Sequence, residues 1–196
     1  MGLRLRLTIL KPLPADQVQP FLAEAIASMP GPSRGPGYAA VPAKYFVHHS
    51  QDTLTLSDDA CTLVHSTAAR RNLLHLELRA QEGDHWDFTL ERAGVIIADF
   101  STCVKYFDDR RNPPRPWKQG SLAAFASAWG VNPDVVGPYL FDWGLRRKYF
   151  KVRPTDRYEA GDVNQMFDFA PLLGVQQPMA QADHLVITAP TWAPQR

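Results

Sequence analysis

Residues 3–10, LRLRLTIL, alternate apolar and polar without a break: Leu3, Leu5, Leu7 and Ile9 fall on one face, Arg4, Arg6 and Thr8 on the other. That is the period of a strand with one buried side. The period then changes. Val18, Phe21, Leu22, Ala25, Ile26 and Met29 recur at helical spacing behind Asp16, and MPGP follows. A helix is expected over 16–29, with Asp16 as its cap, Pro20 in its first turn and its end at Met29.

Residues 30–42, PGPSRGPGYAAVP, hold so much Pro and Gly that neither a helix nor a sheet ladder is expected to run through them. A surface loop is the plain reading, and a binding loop or lid the alternative. From Lys44 to Phe100 the period is two. YFVHH, TLTLS and CTLVHST read as short strands, and Leu74, Leu76, Leu78, then Trp86, Phe88, Leu90, then VIIADF read as a meander broken at QEGD and RAG. VIIADF is apolar on both faces, which predicts a central strand covered on one side by helix 16–29.

Beyond the Pro-rich FDDRRNPPRPWKQG the chain turns helical. Ser121 is placed to cap a helix carrying Leu122, Phe125, Ala126 and Trp129 inward and stopped at Gly130; Asn132-Pro133 opens a second that Gly137-Pro138 interrupts; Asp162 with Gln165 reads as a capping box for a third, closed by Gly174. HLVITAP reads as a final strand at a sheet edge. Strands gathered before helices argue an α+β fold. The expectation is an antiparallel sheet with a central meander, one N-terminal helix packed on it and a C-terminal group of short helices. At 196 residues this is one domain, 1–196, with a sheet-rich lobe over 1–110 and a helical lobe over 120–175.

Composition adds exclusions more than assignments. A net charge of +1 writes no global field toward nucleic acid or an anionic membrane, so any such function must come from a local patch. Cys61 and Cys103 are the only cysteines and read as reduced core thiols rather than a disulfide framework. The start, MGLRLR, lacks the features of a signal peptide or a myristoylation site, and no apolar run is long enough to span a bilayer. A cytoplasmic protein is expected, and the excess of Arg over Lys with abundant Ala suggests a GC-rich bacterial source.

Candidate chemistry is sparse. Cys61 and His65 have C-x3-H spacing, but in a strand an offset of four separates same-face side chains by about 13 Å, too far for one zinc. His48 and His49 would point to opposite faces, and His75 and His85 would meet only through the hairpin. No metal site and no cofactor are expected. The elbow, zincin, P-loop and dinucleotide signatures are missing. Asp58-Asp59 and Asp108-Asp109, the latter flanked by Arg110 and Arg111, read as solvated loop carboxylates, and Asp87, Glu91 and Asp99 as solvent-facing strand positions. The most suggestive segment is RRKYFKVR: Arg146, Arg147, Lys148, Tyr149, Lys151 and Arg153 combine positive charge with an aromatic ring, the composition that grips phosphates and stacks on bases. A charge-protected, partner-facing strand has the same composition.

HWDFTLERAGVIIADFST and the following KYF resemble a group of bacterial proteins with no assigned activity, the likeness continuing through GSLAAFASAWGVNPDVVGPYLFDW and DVNQMFDFAPLLGV. Trp86, Phe100, Tyr106 and Trp143 match that pattern. The resemblance implies a shared fold and transfers no catalytic residue. The function expected is non-enzymatic: binding a macromolecular partner, as an accessory or immunity-like protein. Nucleic-acid binding through 146–153 is the first alternative. An enzyme with a site near the 30–42 loop, using His48, His49 or Asp108, is the second.

Overall fold

A computed structural model of the chain describes residues 5–29, 38–57, 60–81, 85–102, 115–117, 119–142, 149–175 and 185–194. The alternating segment forms β1 (Leu5–Lys11), and the helical pattern after it forms α1 (Ala15–Ala27). α1 starts one residue before Asp16, so Asp16 lies inside the first turn instead of capping it, and Pro20 falls in the second turn. Val18, Phe21, Leu22 and Ala25 are its buried face, as the spacing requires.

Next come β2 (Tyr38–Ser50) and β3 (Thr53–Ser57). β2 overturns part of the loop expectation, because residues 38–42 lie inside a ladder. There Pro42 faces Pro190 directly. Opposing the two prolines confines the missing N–H donors to one position of the ladder.

CTLVHST is not a strand. It lies in α2 (Ala60–Arg70), where Leu63, Val64, Thr67 and Ala68 form one buried helical face. Its β-branched residues imitate a strand over a short window. The end is a left-handed cap: Asn72 has φ of 54°, its N–H reaches Ala69 O, and Leu73 N–H reaches Ala68 O.

β4 (Leu74–Gln81), β5 (His85–Arg92) and β6 (Val95–Ser101) form the expected meander. They are followed by the short β7 (Arg115–Pro116), α3 (Gln119–Trp129), α4 (Pro133–Val136), a 3-10 turn at Gly137–Tyr139, and β8 (Phe141–Asp142), which pairs with β7. Asn132 caps α4 by accepting from Asp134 N–H at 2.8 Å. The capping box after Asp162 is displaced: Asp162 accepts from Asn164 N–H, but the Gln165 side chain takes the N–H of Gly161. A 3-10 turn, α5 (Met166–Phe169) and another 3-10 turn follow, ending at Gly174 in the left-handed region. β9 (Leu185–Pro194) completes the set.

The main sheet has seven strands in the order β6-β5-β4-β1-β3-β2-β9, all neighbours antiparallel. The final strand is an edge, as its sequence suggests. β6 is the other edge, which corrects the central placement expected for VIIADF. A bulge after Leu90 sets Glu91 opposite Ile96 and leaves Ile97 as the extra residue. Val95 and Ile96 are then 67% and 59% exposed.

Helices cover both faces of the sheet. On one, Leu76, Leu78, Trp86, Phe88 and Phe100 meet Phe125, Trp129, Tyr139 and Phe169 from the C-terminal helical group, with the Phe88 and Phe169 rings nearly parallel at 6.0 Å. Residues of both expected lobes therefore share one core. On the other face α1 and α2 close over Leu10, Leu54, Leu56 and Val47. α2 lies over β1, β4 and β3, and α1 packs beside it in one cluster with Tyr45 and Val47 of β2, so α1 covers that half of the sheet and not β6. No helix among the described residues is long and apolar enough to cross a membrane.

Candidate functional site

Among the described residues, two places combine defined geometry with chemistry. The first is the segment after Phe150, held by the buried Asp156 and the half-buried Asp168. Asp156 is buried and accepts from the Tyr139 hydroxyl, 2.7 Å from Oδ1 and 2.9 Å from Oδ2, and from Arg153 N–H at 2.8 Å. Asp168 accepts from Arg157 N–H and Tyr158 N–H, and Ala160 N–H closes the turn onto Phe150 O at 2.8 Å. Burial and the Asp156 carboxylate push the Tyr139 hydroxyl above the ordinary tyrosine range, so it stays a neutral donor. On this frame Tyr149 is 92% exposed and Phe150 53% exposed, with Lys151 exposed beside them.

Residues 149, 150, 152 and 153 form bends, so the extended strand considered for RRKYFKVR does not form over its described part. Arg153 faces inward: its guanidinium donates to Val135 O at 3.1 Å and lies 5.6 Å from the centre of the Tyr139 ring. It holds the turn in place. Arg146, Arg147 and Lys148 lie outside the described residues, as do Asp58, Asp59, Cys103, Asp108 and Asp109.

The second place joins α2, β4 and β5. His75 on β4 stands directly across the ladder from Glu91 on β5, and His65 on α2 reaches down to the same carboxylate, its Nε2 2.7 Å from Glu91 Oε2. His75 Nδ1 is 3.8 Å from that oxygen, and the two imidazoles meet edge to face at 5.2 Å. Burial first, and the neighbouring His65 second, hold the His75 pKa below the usual histidine value and favour its neutral ring. The cluster opens on a shallow depression also lined by Ala69, Ala93 and Gly94.

Pattern reading missed this cluster for two reasons. The strand expected for CTLVHST, 61–67, puts His65 on the wrong kind of element, and the alternation of β5 points Glu91 to solvent. Glu91 is half-buried against the histidines, and Asp87, also expected at the surface, is buried and paired with Arg79. Asp99 is exposed as expected. The usable signal was Asn72, a residue that favours the left-handed helix stop and so points to a helix ending just before it. His75 does not meet His85, which lies opposite Gln81 at the far end of the hairpin. His49 Nε2 lies 2.8 Å from Leu13 O and ties β2 to the start of α1, a structural use of that ring.

The chain matches no family model, no curated protein and no solved structure.

Proposed function

We propose that this chain is a binding protein whose macromolecular partner docks on the turn carrying Tyr149 and Phe150, in keeping with an accessory or immunity-like role in a bacterial cytoplasm. The observation that carries this reading is the 92% exposure of Tyr149 on a segment fixed from below by Asp156 and Asp168. An aromatic side chain held out to solvent on an ordered frame loses little entropy when it is covered, and tyrosine is among the residues that dominate interface energies. The exposed Lys151 nearby favours a partner with a negative rim.

Site-specific photocrosslinking from position 149 in cells of the source organism tests the reading, with position 159 as an exposed control. A discrete adduct from 149 alone, lost in competition with unmodified protein, supports it. No adduct from 149, together with unchanged behaviour of a Tyr149→Ala/Phe150→Ala variant, rejects it.

The same turn supports nucleic acid as a second partner class, because an exposed ring beside cationic residues is the composition that stacks on bases. That reading requires binding that weakens steeply with salt. Reversing charge at Lys151 and Arg147 would lower the affinity and flatten the slope.

A further inference from the structure

We propose that His65, His75 and Glu91 form a binding site for a divalent first-row transition ion, with zinc the best fit. The three residues come from three different elements, α2, β4 and β5, yet one donor atom of each lies within 4.8 Å of the others. Zinc bonds of about 2.0–2.2 Å at tetrahedral angles set donor atoms about 3.3–3.5 Å apart. The separations of 2.7 and 3.8 Å to Glu91 Oε2 lie on either side of that value, and with no donor atom more than 4.8 Å from another, side-chain rotation is what the set needs to share one ion.

The donor set selects the class of ion. Two imidazoles and one carboxylate suit zinc, nickel, cobalt or iron(II), whereas calcium and magnesium ask for a shell of oxygens. Burial is graded across the cluster: His75 is buried, Glu91 half-buried and His65 exposed. The ion is therefore reached from the His65 side, where water takes the remaining coordination position. Glu77, next but one to His75 along β4, carries negative charge on the same face, most of it taken up by Arg6 at 2.7 Å. Arg92 on the rim opposes it.

A hydrogen-bonded cluster that binds no ion is the competing account, in which Glu91 simply neutralises two rings. Equilibrium dialysis of untagged full-length protein against zinc chloride separates the two, with cobalt(II) absorption reporting ligand number and geometry. The expected result is one zinc per chain, tetrahedral-type cobalt absorption, and at least a tenfold loss of affinity in His65→Ala and in Glu91→Gln. His65 is exposed, so His65→Ala is expected to fold, and circular dichroism checks this. Absence of binding at micromolar zinc, or binding that His65→Ala leaves unchanged, overturns the site.

Discussion

The Tyr139 hydroxyl and the Asp156 carboxylate are buried together, 2.7 Å apart, and with Arg153 N–H on the same carboxylate they fasten the 149–160 turn to the C-terminal helical group. Asp156→Ala leaves the Tyr139 hydroxyl and the Arg153 N–H without this acceptor, and a buried donor left unsatisfied costs about 1–3 kcal/mol. Asp156→Ala is therefore expected to lower stability by several kcal/mol in urea unfolding. Tyr139→Phe removes only one donor, and a loss of about 1 kcal/mol is expected. If the turn is the docking frame, Asp156→Ala also weakens partner capture in protein that is still folded.

Tyr149 and Phe88 stand at opposite ends of exposure among the described aromatic side chains. Tyr149→Ala removes a ring that is 92% exposed, so the change in unfolding free energy should stay within about 0.5 kcal/mol. Phe88→Ala removes a ring enclosed by Trp86, Phe100, Phe125 and Phe169, and a cost of about 3–5 kcal/mol is expected. Parallel denaturant titrations check both. A large stability loss for Tyr149→Ala would mean the ring packs on the fold and is not presented to a partner.

Glu24 links α1 to α2 through Arg70 and Arg71, with oxygen–nitrogen distances of 3.1 and 2.8 Å. Hydrogen bonds from Arg70 and then Arg71 hold its carboxyl below the ordinary value of 4.5. A carboxyl with a depressed folded pKa binds fewer protons folded than unfolded, so its contribution is complete above pH 4.5 and is lost as pH falls through the folded pKa. Glu24→Gln should be less stable than the native chain near neutrality, and the two should converge below that range. Thermal melts across pH 3–7, repeated at high salt, read the difference; salt should shrink it because the pair faces solvent.

What could be read from the sequence follows the length of each pattern. β1, α1, the Leu74 to Phe100 meander and the helix ending at Gly130 carry long, clean periods, and each forms where its period places it. α2 is illegible at short range because Thr62, Val64 and Thr67 give a short helix the look of a strand, which hides the direction of the His65 ring. Position within the sheet was not legible either. VIIADF looks central because it is apolar, but the bulge at Leu90 turns part of that surface outward at an edge. The cluster of His65, His75 and Glu91 depends on pairing between elements, which no local spacing encodes. The exposed turn at Tyr149 was legible only as composition; its anchoring needs Asp156 and Asp168 brought in from outside the basic-aromatic segment.

The hairpin between β5 and β6 turns on Ala93 and Gly94, with φ of 51° and 76°. Two consecutive positive φ angles define the mirror-image turn that matches strand twist and prefers Asn-Gly. Gly94 meets that requirement, but Ala93 places a Cβ in the left-handed region at a cost of about 1–2 kcal/mol. Asn tolerates this conformation better, so Ala93→Asn is expected to stabilise the protein by about 0.5–1 kcal/mol. Ala93→Gly also removes the strain, but it loosens the unfolded chain and should gain less. The position is exposed and supplies no donor to the histidine cluster, so the gain should appear equally with and without added zinc. Urea titrations of the three variants in chelator and in zinc provide the check: an order of Asn, then Gly, then Ala in both buffers is expected, and an Ala93→Asn variant less stable than the native chain would show that this turn is not left-handed in solution.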